Sequence, residues 1–218
     1  MIVLQPPTTH PQARWKVVLL SGLSDPASTA LSRSQQAFLD RLDLPAASRV
    51  DANFPYLPAD RPEQRAVPIV VASWRNFRQF RGAARPPYRD RATAHWDALV
   101  QSCDGLLVIT LSCGLEILNA CLQTGHRPKA IDVVALGPVA WSRPPVSHLL
   151  VRGARDRIAN PWFRECDLRL PGVGHLDYLQ SPAVLELMRE RLARLQRTLE
   201  ATEASGVSGE RGLSDPET

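Results

Sequence analysis

The chain has 218 residues, of which 44% are hydrophobic, and a formal net charge of +4. This length and composition are typical of one folded domain with a substantial core and exclude a disordered chain. No apolar run reaches the roughly 18–20 residues of a membrane span. The N-terminus also lacks the basic start and long apolar stretch of a signal peptide. We therefore expect a cytoplasmic protein without a membrane span.

The positive charge comes from arginine, since Lys16 and Lys129 are the only lysines. Arginines concentrate at 75–91, but no aromatic-basic RNA motif or DNA-reading helix accompanies them. We interpret this segment as a solvated basic surface and expect no nucleic-acid partner. The four cysteines form no CxxC pair and have no zinc-type spacing with histidine, which favours reduced thiols. No metal and no cofactor is expected.

The first half of the chain contains weakly delimited elements. In chain order they are a loose lead-in at 1–14, a buried strand at 16–20, a helix at 28–42, a weak strand at 49–54 and a helix at 67–81, for which a short strand at 69–71 is the alternative.

The second half has a clearer alternation of strands and helices. Its elements are a break at Pro86-Pro87, a helix at 91–103, strands at 105–111, 131–136, 148–151 and 167–170, a helix at 113–123, a long helix opened by Ser181-Pro182, and a disordered tail at 204–218. Such alternation predicts an α/β fold: a mostly parallel central sheet with helices on both faces, in three αβα layers, formed by a domain at 15–203.

Ser112 follows the apolar strand at 105–111 and directly precedes the helical pattern. Strand, sharp turn with a central serine, and helix is the layout of a nucleophile elbow. Small residues flank such a serine because backbone approaches it on both sides. Gly114 supplies one small flank, whereas Thr110 stands where the usual motif has glycine.

A nucleophilic serine needs a base, and the base needs an orienting acid. Asp156 and His175 each follow a predicted strand, where ligand-contacting residues of parallel sheets gather. Asp177 is a rival acid, and Asp132 is a weaker one because it opens a strand rather than ending one. The favoured chain order is therefore Ser112, Asp156, His175.

Four segments in this order make the chain resemble a compact, lidless α/β-hydrolase of the serine hydrolase family: 17–23, 111–114, 152–156 and 172–175. The resemblance covers about residues 17–195. It implies that Ser112 attacks a carbonyl carbon, that His175 exchanges the proton, and that Asp156 orients His175.

The same resemblance implies an oxyanion site formed by backbone N–H groups. One donor would be Cys113, at the helix N-terminus, and the other Leu23, with Ser24 as the alternative. The segment Ser21-Gly22 stands where many relatives carry His-Gly. A nucleophilic role for Cys113 is disfavoured, because it would break the spacing to Gly114.

The substrate is less well determined by the sequence. The segment 137–147 is too short for a sizeable lid, so an open site is expected, with Trp141 and Trp74 as candidate substrate-binding residues and core packing as their alternative. The expected function is hydrolysis of a small-molecule carboxylic ester or thioester with a small to medium acyl group. The alternatives are an acyltransferase with the same triad and a non-catalytic hydrolase-like binding protein. A homodimer is left open.

Overall fold

A computed structural model describes residues 9–22, 28–53 and 77–209, except for the side chains of residues 205–209. Within these ranges the centre is a sheet of five strands, in which all neighbouring strands are parallel and follow the order of the chain. The strands are β1 Ala13–Ser21, β2 Cys103–Leu111, β3 Ala130–Leu136, β4 Ser147–Gly153 and β5 Leu168–Leu170. The predicted parallel α/β fold is confirmed.

Four helices accompany the sheet in the described ranges, together with a helical segment at 77–82 and two 3-10 turns. The helices are α1 Arg33–Asp40, α2 Pro86–Val100, α3 Gly114–Thr124 and α4 Pro182–Gly209, and the 3-10 turns are Ala46–Ser48 and Tyr178–Gln180.

Alternating residues of β1 and β2 face two separate cores. Val18 and Val108 point to a core that contains Trp96 of α2 and Ile117 of α3. The residues between them point to a second core, which contains side chains of α1 and α4. Both faces of the sheet are therefore covered, which is why its strands read as continuous apolar runs rather than as an alternating pattern.

Several element boundaries differ from the predicted ones for local reasons. Helix α1 begins only at Arg33, because Ser32 caps it in a capping box with Gln35. Helix α2 begins at Pro86 instead of after it, since proline is tolerated in the first turn, where its missing N–H is not needed. Helix α4 continues past the predicted start of the tail and ends at Gly209.

The segment predicted as a weak strand at 49–54 forms only isolated bridges within the described residues, Val17 with Arg49 and Ala30 with Ala52. Most of the predicted helix at 67–81, including the alternative strand, lies outside the described residues. Its last part is helical, as predicted, and the helix extends to residue 82.

Candidate functional site

Ser112 occupies the sharp turn between β2 and α3 in a left-handed conformation, with φ of +53°. A non-glycine residue adopts this conformation only when the surrounding structure imposes it. Two hydrogen bonds fix the turn: the Ser112 N–H donates to Leu136 O at 3.2 Å, and the Val139 N–H donates to Ser112 O at 3.1 Å. The strained serine is therefore held at the carboxyl ends of β2 and β3.

Gly114 is required on the helix side of the turn. A Cβ atom at this position would lie 2.0 Å from the backbone oxygen of Leu20 in β1. Thr110, on the strand side, is fully buried, and its hydroxyl has no hydrogen-bond partner in the described part of the chain. The two flanks of the serine thus differ, because close backbone approach demands glycine only at position 114.

His175 and Asp156 form a direct pair on the loops after β5 and β4. The His175 Nδ1 atom lies 3.0 Å from Oδ1 and 2.9 Å from Oδ2 of Asp156. The carboxylate is fully buried, whereas the histidine side chain is 16% exposed. A buried carboxylate on Nδ1 orients the ring and leaves Nε2 as the nitrogen that can exchange a proton.

The Asp156 carboxylate accepts further hydrogen bonds that hold it in its charged form. Its Oδ1 accepts from the backbone N–H groups of Ile158 and Ala159, at 3.0 and 2.9 Å. Burial alone would raise the pKa of Asp156, but hydrogen bonds from His175, the Ala159 N–H and Tyr178 outweigh it and lower this pKa to about 2. The carboxylate therefore stays ionised at neutral pH.

Tyr178 is a member of this site that the sequence analysis missed. Its hydroxyl donates to Asp156 Oδ2 at 2.7 Å and accepts from the Gly153 N–H at 2.7 Å. Its pKa is raised by burial and by the neighbouring carboxylate. The only sequence signal was its position three residues after His175, which is not specific.

Gly137 connects the serine to the histidine pair. It follows Leu136, whose carbonyl binds the Ser112 N–H, and it has φ of +56°. A Cβ atom on Gly137 would lie 2.7 Å from Asp156 Oδ2 and 3.2 Å from His175 Nδ1. Ser112 therefore contacts Leu136, and His175 lies close to the next residue, Gly137. Their side chains, both in the described part of the chain, are not hydrogen-bonded to each other.

Cys113 lies at the N-cap of α3. Among the described residues, its N–H donates to no other residue, and its place at the helix start gives it a partial positive charge beside Ser112. Burial raises the pKa of its thiol to about 12, which keeps the thiol protonated and makes it a poor nucleophile.

The loop after β1, where the second oxyanion donor is predicted, is described only at its start. The Ser21 N–H is occupied by the Asn53 side chain at 2.8 Å, and the Gln35 amide donates to the Ser21 hydroxyl at 3.1 Å. Leu23 and its alternative Ser24 lie outside the described residues.

An aromatic cavity of about 350 Å³ lies beside Cys113. Five of the described residues line it: Phe77, Phe80, Arg81, Trp141 and Trp162. Phe80 also packs with Cys113 and Val139 in one buried cluster, against which Trp162 lies. Trp141 lines this cavity, and whether it binds substrate stays a prediction; Trp74 lies outside the described residues. Phe77 and Phe80, which the sequence offered with Trp74 as a second wall of the site, also line it, whereas Trp162 was not considered.

The rival acids make other contacts. Asp177 Oδ2 accepts the Gly174 N–H at 2.9 Å and so closes the turn that carries His175. Asp132 is buried at the start of β3, where it binds Arg191 and accepts the Ser147 hydroxyl at 3.0 Å. Neither pairs with the imidazole, which leaves Asp156 as its carboxylate partner.

Two further properties concern the described residues as a whole. None of their helices is long and apolar enough to cross a membrane. No group of three or more histidine, cysteine, aspartate or glutamate side chains is arranged among them to hold a metal ion.

This architecture is an α/β-hydrolase fold, as a comparison with solved structures also shows. The chain is similar to esterase PE8, with a TM-score of 0.52 and 16% identity, over 88% of this chain and 100% of that chain. A carboxylesterase from Mesorhizobium loti aligns with a TM-score of 0.44 and 17% identity, over 84% of this chain and 90% of the other. No family model and no curated protein matches the sequence.

Proposed function

We propose that this protein is a serine hydrolase that cleaves a carboxylic ester or thioester of a small to medium acyl group. The observation that carries the proposal is the His175–Asp156 pair at 2.9–3.0 Å, placed beside the dipeptide 136–137, which also binds the strained Ser112 turn. A buried histidine–carboxylate pair with no nucleophile nearby would be explained by its contribution to the stability of the fold. A network beside a strained, partly exposed serine fits catalysis better.

In the proposed mechanism, the Ser112 Oγ attacks the carbonyl carbon while His175 Nε2 accepts the hydroxyl proton. The tetrahedral oxyanion accepts a hydrogen bond from the Cys113 N–H at the start of α3, with Leu23 as the second donor. Collapse of this intermediate breaks the bond to the alcohol or thiol, which leaves with the proton from His175. The acyl group then remains bonded to Ser112.

Water completes the reaction. His175 removes a proton from water, the resulting hydroxide attacks the acyl carbon, and the proton passes from His175 to the departing Ser112 oxygen. Asp156 remains ionised throughout and stabilises the imidazolium, in line with its lowered pKa. The Ser112 and His175 side chains must come into hydrogen-bond contact in the substrate complex, where such contacts tighten in many enzymes.

The proposal is tested with a fluorophosphonate probe, which reacts with activated serine hydroxyls. We expect covalent labelling of the wild-type protein, loss of labelling in Ser112→Ala, and retained labelling in the matched neighbour variant Cys113→Ala. Labelling that persists unchanged in Ser112→Ala contradicts the mechanism. An unlabelled but folded wild-type protein favours the alternative of a non-catalytic binding protein.

A further inference from the structure

We infer that the aromatic cavity defined above binds the acyl part of the substrate and selects an aromatic acyl group. The inference rests on the proposed function and adds a substrate class to it. Three rings of the cavity contact one another. Trp162 is edge-on to Phe80 at a centroid distance of 4.8 Å and to Trp141 at 5.2 Å, and Phe80 lies 5.2 Å from Trp141.

The exposure of Trp141 indicates that these rings serve a ligand rather than only the core. Phe80 is buried, but Trp141 is 72% exposed and Phe77 is 45% exposed. Exposed aromatic rings grouped around a cavity leave apolar surface in water, which a bound apolar group would cover. A planar aromatic guest also extends the edge-to-face contacts that the rings already make with each other.

The position of the cavity assigns it to the acyl side. Phe80 belongs to the same small buried cluster as Cys113, whose N–H is the proposed oxyanion donor. The leaving group must instead lie within reach of His175, which protonates it. Neither His175 nor its loop belongs to the residues that line the cavity. A group in the cavity is therefore the one that stays on the carbonyl carbon.

The charge of Arg81, which lines the cavity, disfavours cationic ligands. Arg81 lies over the Phe77 ring, with its guanidinium carbon 6.0 Å from the centroid. Arg81 forms no ion pair with a carboxylate among the residues that the structure describes. An uncompensated cation disfavours cationic ligands such as quaternary ammonium groups, which aromatic cavities otherwise bind well. The selected acyl group is therefore uncharged or anionic.

The test compares two p-nitrophenyl esters that differ only in ring type, phenylacetate and cyclohexylacetate, with the acetate as the reference. We expect kcat/KM for phenylacetate to exceed that for cyclohexylacetate by roughly threefold to tenfold, the range expected from aromatic contacts beyond simple burial. In Trp141→Leu and Trp162→Leu this ratio should fall towards one. Trp141 is too exposed for its replacement to unfold the protein, so at least this variant stays informative.

The matched control is Trp15→Leu, since Trp15 lies in β1 near the opposite end of the sheet and outside the cavity. It should keep the wild-type ratio.

Equal rates for the two esters in the wild type, or an unchanged ratio in both cavity variants, would overturn the inference. A preference for the aromatic ring that appears only between benzyl acetate and cyclohexylmethyl acetate would also overturn it. In these esters the ring belongs to the alcohol, so this result would place the leaving group in the cavity. Fluorophosphonate labelling of the same variants separates these results from a failure of the proposed function, which would abolish Ser112-dependent labelling altogether.

Discussion

The Tyr178 hydroxyl donates a hydrogen bond to Asp156 Oδ2 at 2.7 Å from a 3-10 turn only three residues beyond His175. The same hydroxyl accepts the N–H of Gly153, the last residue of β4. One buried side chain thus ties the carboxylate to the strand that carries it and to the loop that carries its histidine partner. Tyr178 is a positioning residue for the pair, because it acts through Asp156.

Replacing Tyr178 by phenylalanine removes both hydrogen bonds while keeping the ring. We expect a loss of about 1–3 kcal/mol in the free energy of unfolding, because the buried Gly153 N–H is left without a partner. The rate of fluorophosphonate labelling should fall by roughly tenfold, and its pH profile should shift, since the pKa of Asp156 rises when a donor is lost. Urea unfolding and the labelling rate as a function of pH measure the two effects.

Tyr88→Phe is the matched control for this change. The Tyr88 hydroxyl accepts a hydrogen bond from the Gln79 side chain at 2.8 Å and is not among the hydrogen-bond partners of Asp156 or His175. This variant should keep the wild-type pH profile of labelling. An identical profile in Tyr178→Phe would show that Tyr178 has a structural role only.

Replacing Asp156 by asparagine tests the choice between the acid candidates. The amide cannot accept the Nδ1–H as a carboxylate does and favours the wrong tautomer of His175. We therefore expect kcat to fall by roughly 10³–10⁴-fold. Asp177→Asn, which alters only the carboxylate that closes the turn at Gly174, should retain most of the activity. Steady-state ester hydrolysis measures both variants, and the reverse ranking would make Asp177 the functional acid.

Gly137→Ala should displace the His175–Asp156 pair and lower activity. The new Cβ would lie 2.7 Å from Asp156 Oδ2, and alanine also resists the positive φ of this position. A displacement of about 1 Å in the pair is expected to lower activity by roughly 100-fold. Gly82→Ala is the control, since a Cβ there would meet no atom of the described residues within 4 Å and its φ is ordinary. Comparable activity in the two variants would contradict the tight packing of Gly137 against Asp156 and His175.

The lowered pKa of Asp156 predicts how stability depends on pH. Its folded-state pKa of about 2 lies below the usual value, so ionised Asp156 stabilises the folded state above that usual value. This contribution is lost as the pH falls from about 4 towards 2. Thermal unfolding at pH 6, 4 and 3 should therefore show a steeper loss of stability in the wild type than in Asp156→Asn. An equal loss of thermal stability with falling pH in the two proteins would indicate that the hydrogen bonds to Asp156 do not lower its pKa in solution.

Local pattern in the sequence accounts for much of this protein. Continuous apolar runs predicted the parallel strands, because strands covered on both faces have no polar side. The strand, the glycine flank and the helix around Ser112 predicted the turn, because glycine at position 114 tolerates the close approach of the Leu20 backbone. Chain order and strand ends also identified Asp156 and His175 as neighbours, since parallel strands bring their carboxyl ends to one edge.

Only the tertiary structure decided which side chains meet there. The contacts of Tyr178 with Asp156 and of Gly137 with the His175 pair depend on how separate loops converge, and no spacing in the chain encodes that. The same holds for the cavity, whose rings come from the helical segment at 77–82 and from the loops after β3 and β4. An aromatic residue in the sequence signals burial or binding equally well, because its apolar ring suits both. Only the tertiary structure shows that Trp141 lies beside Phe80 and Trp162 with much of its ring open to solvent, which is the observation behind the proposed binding role.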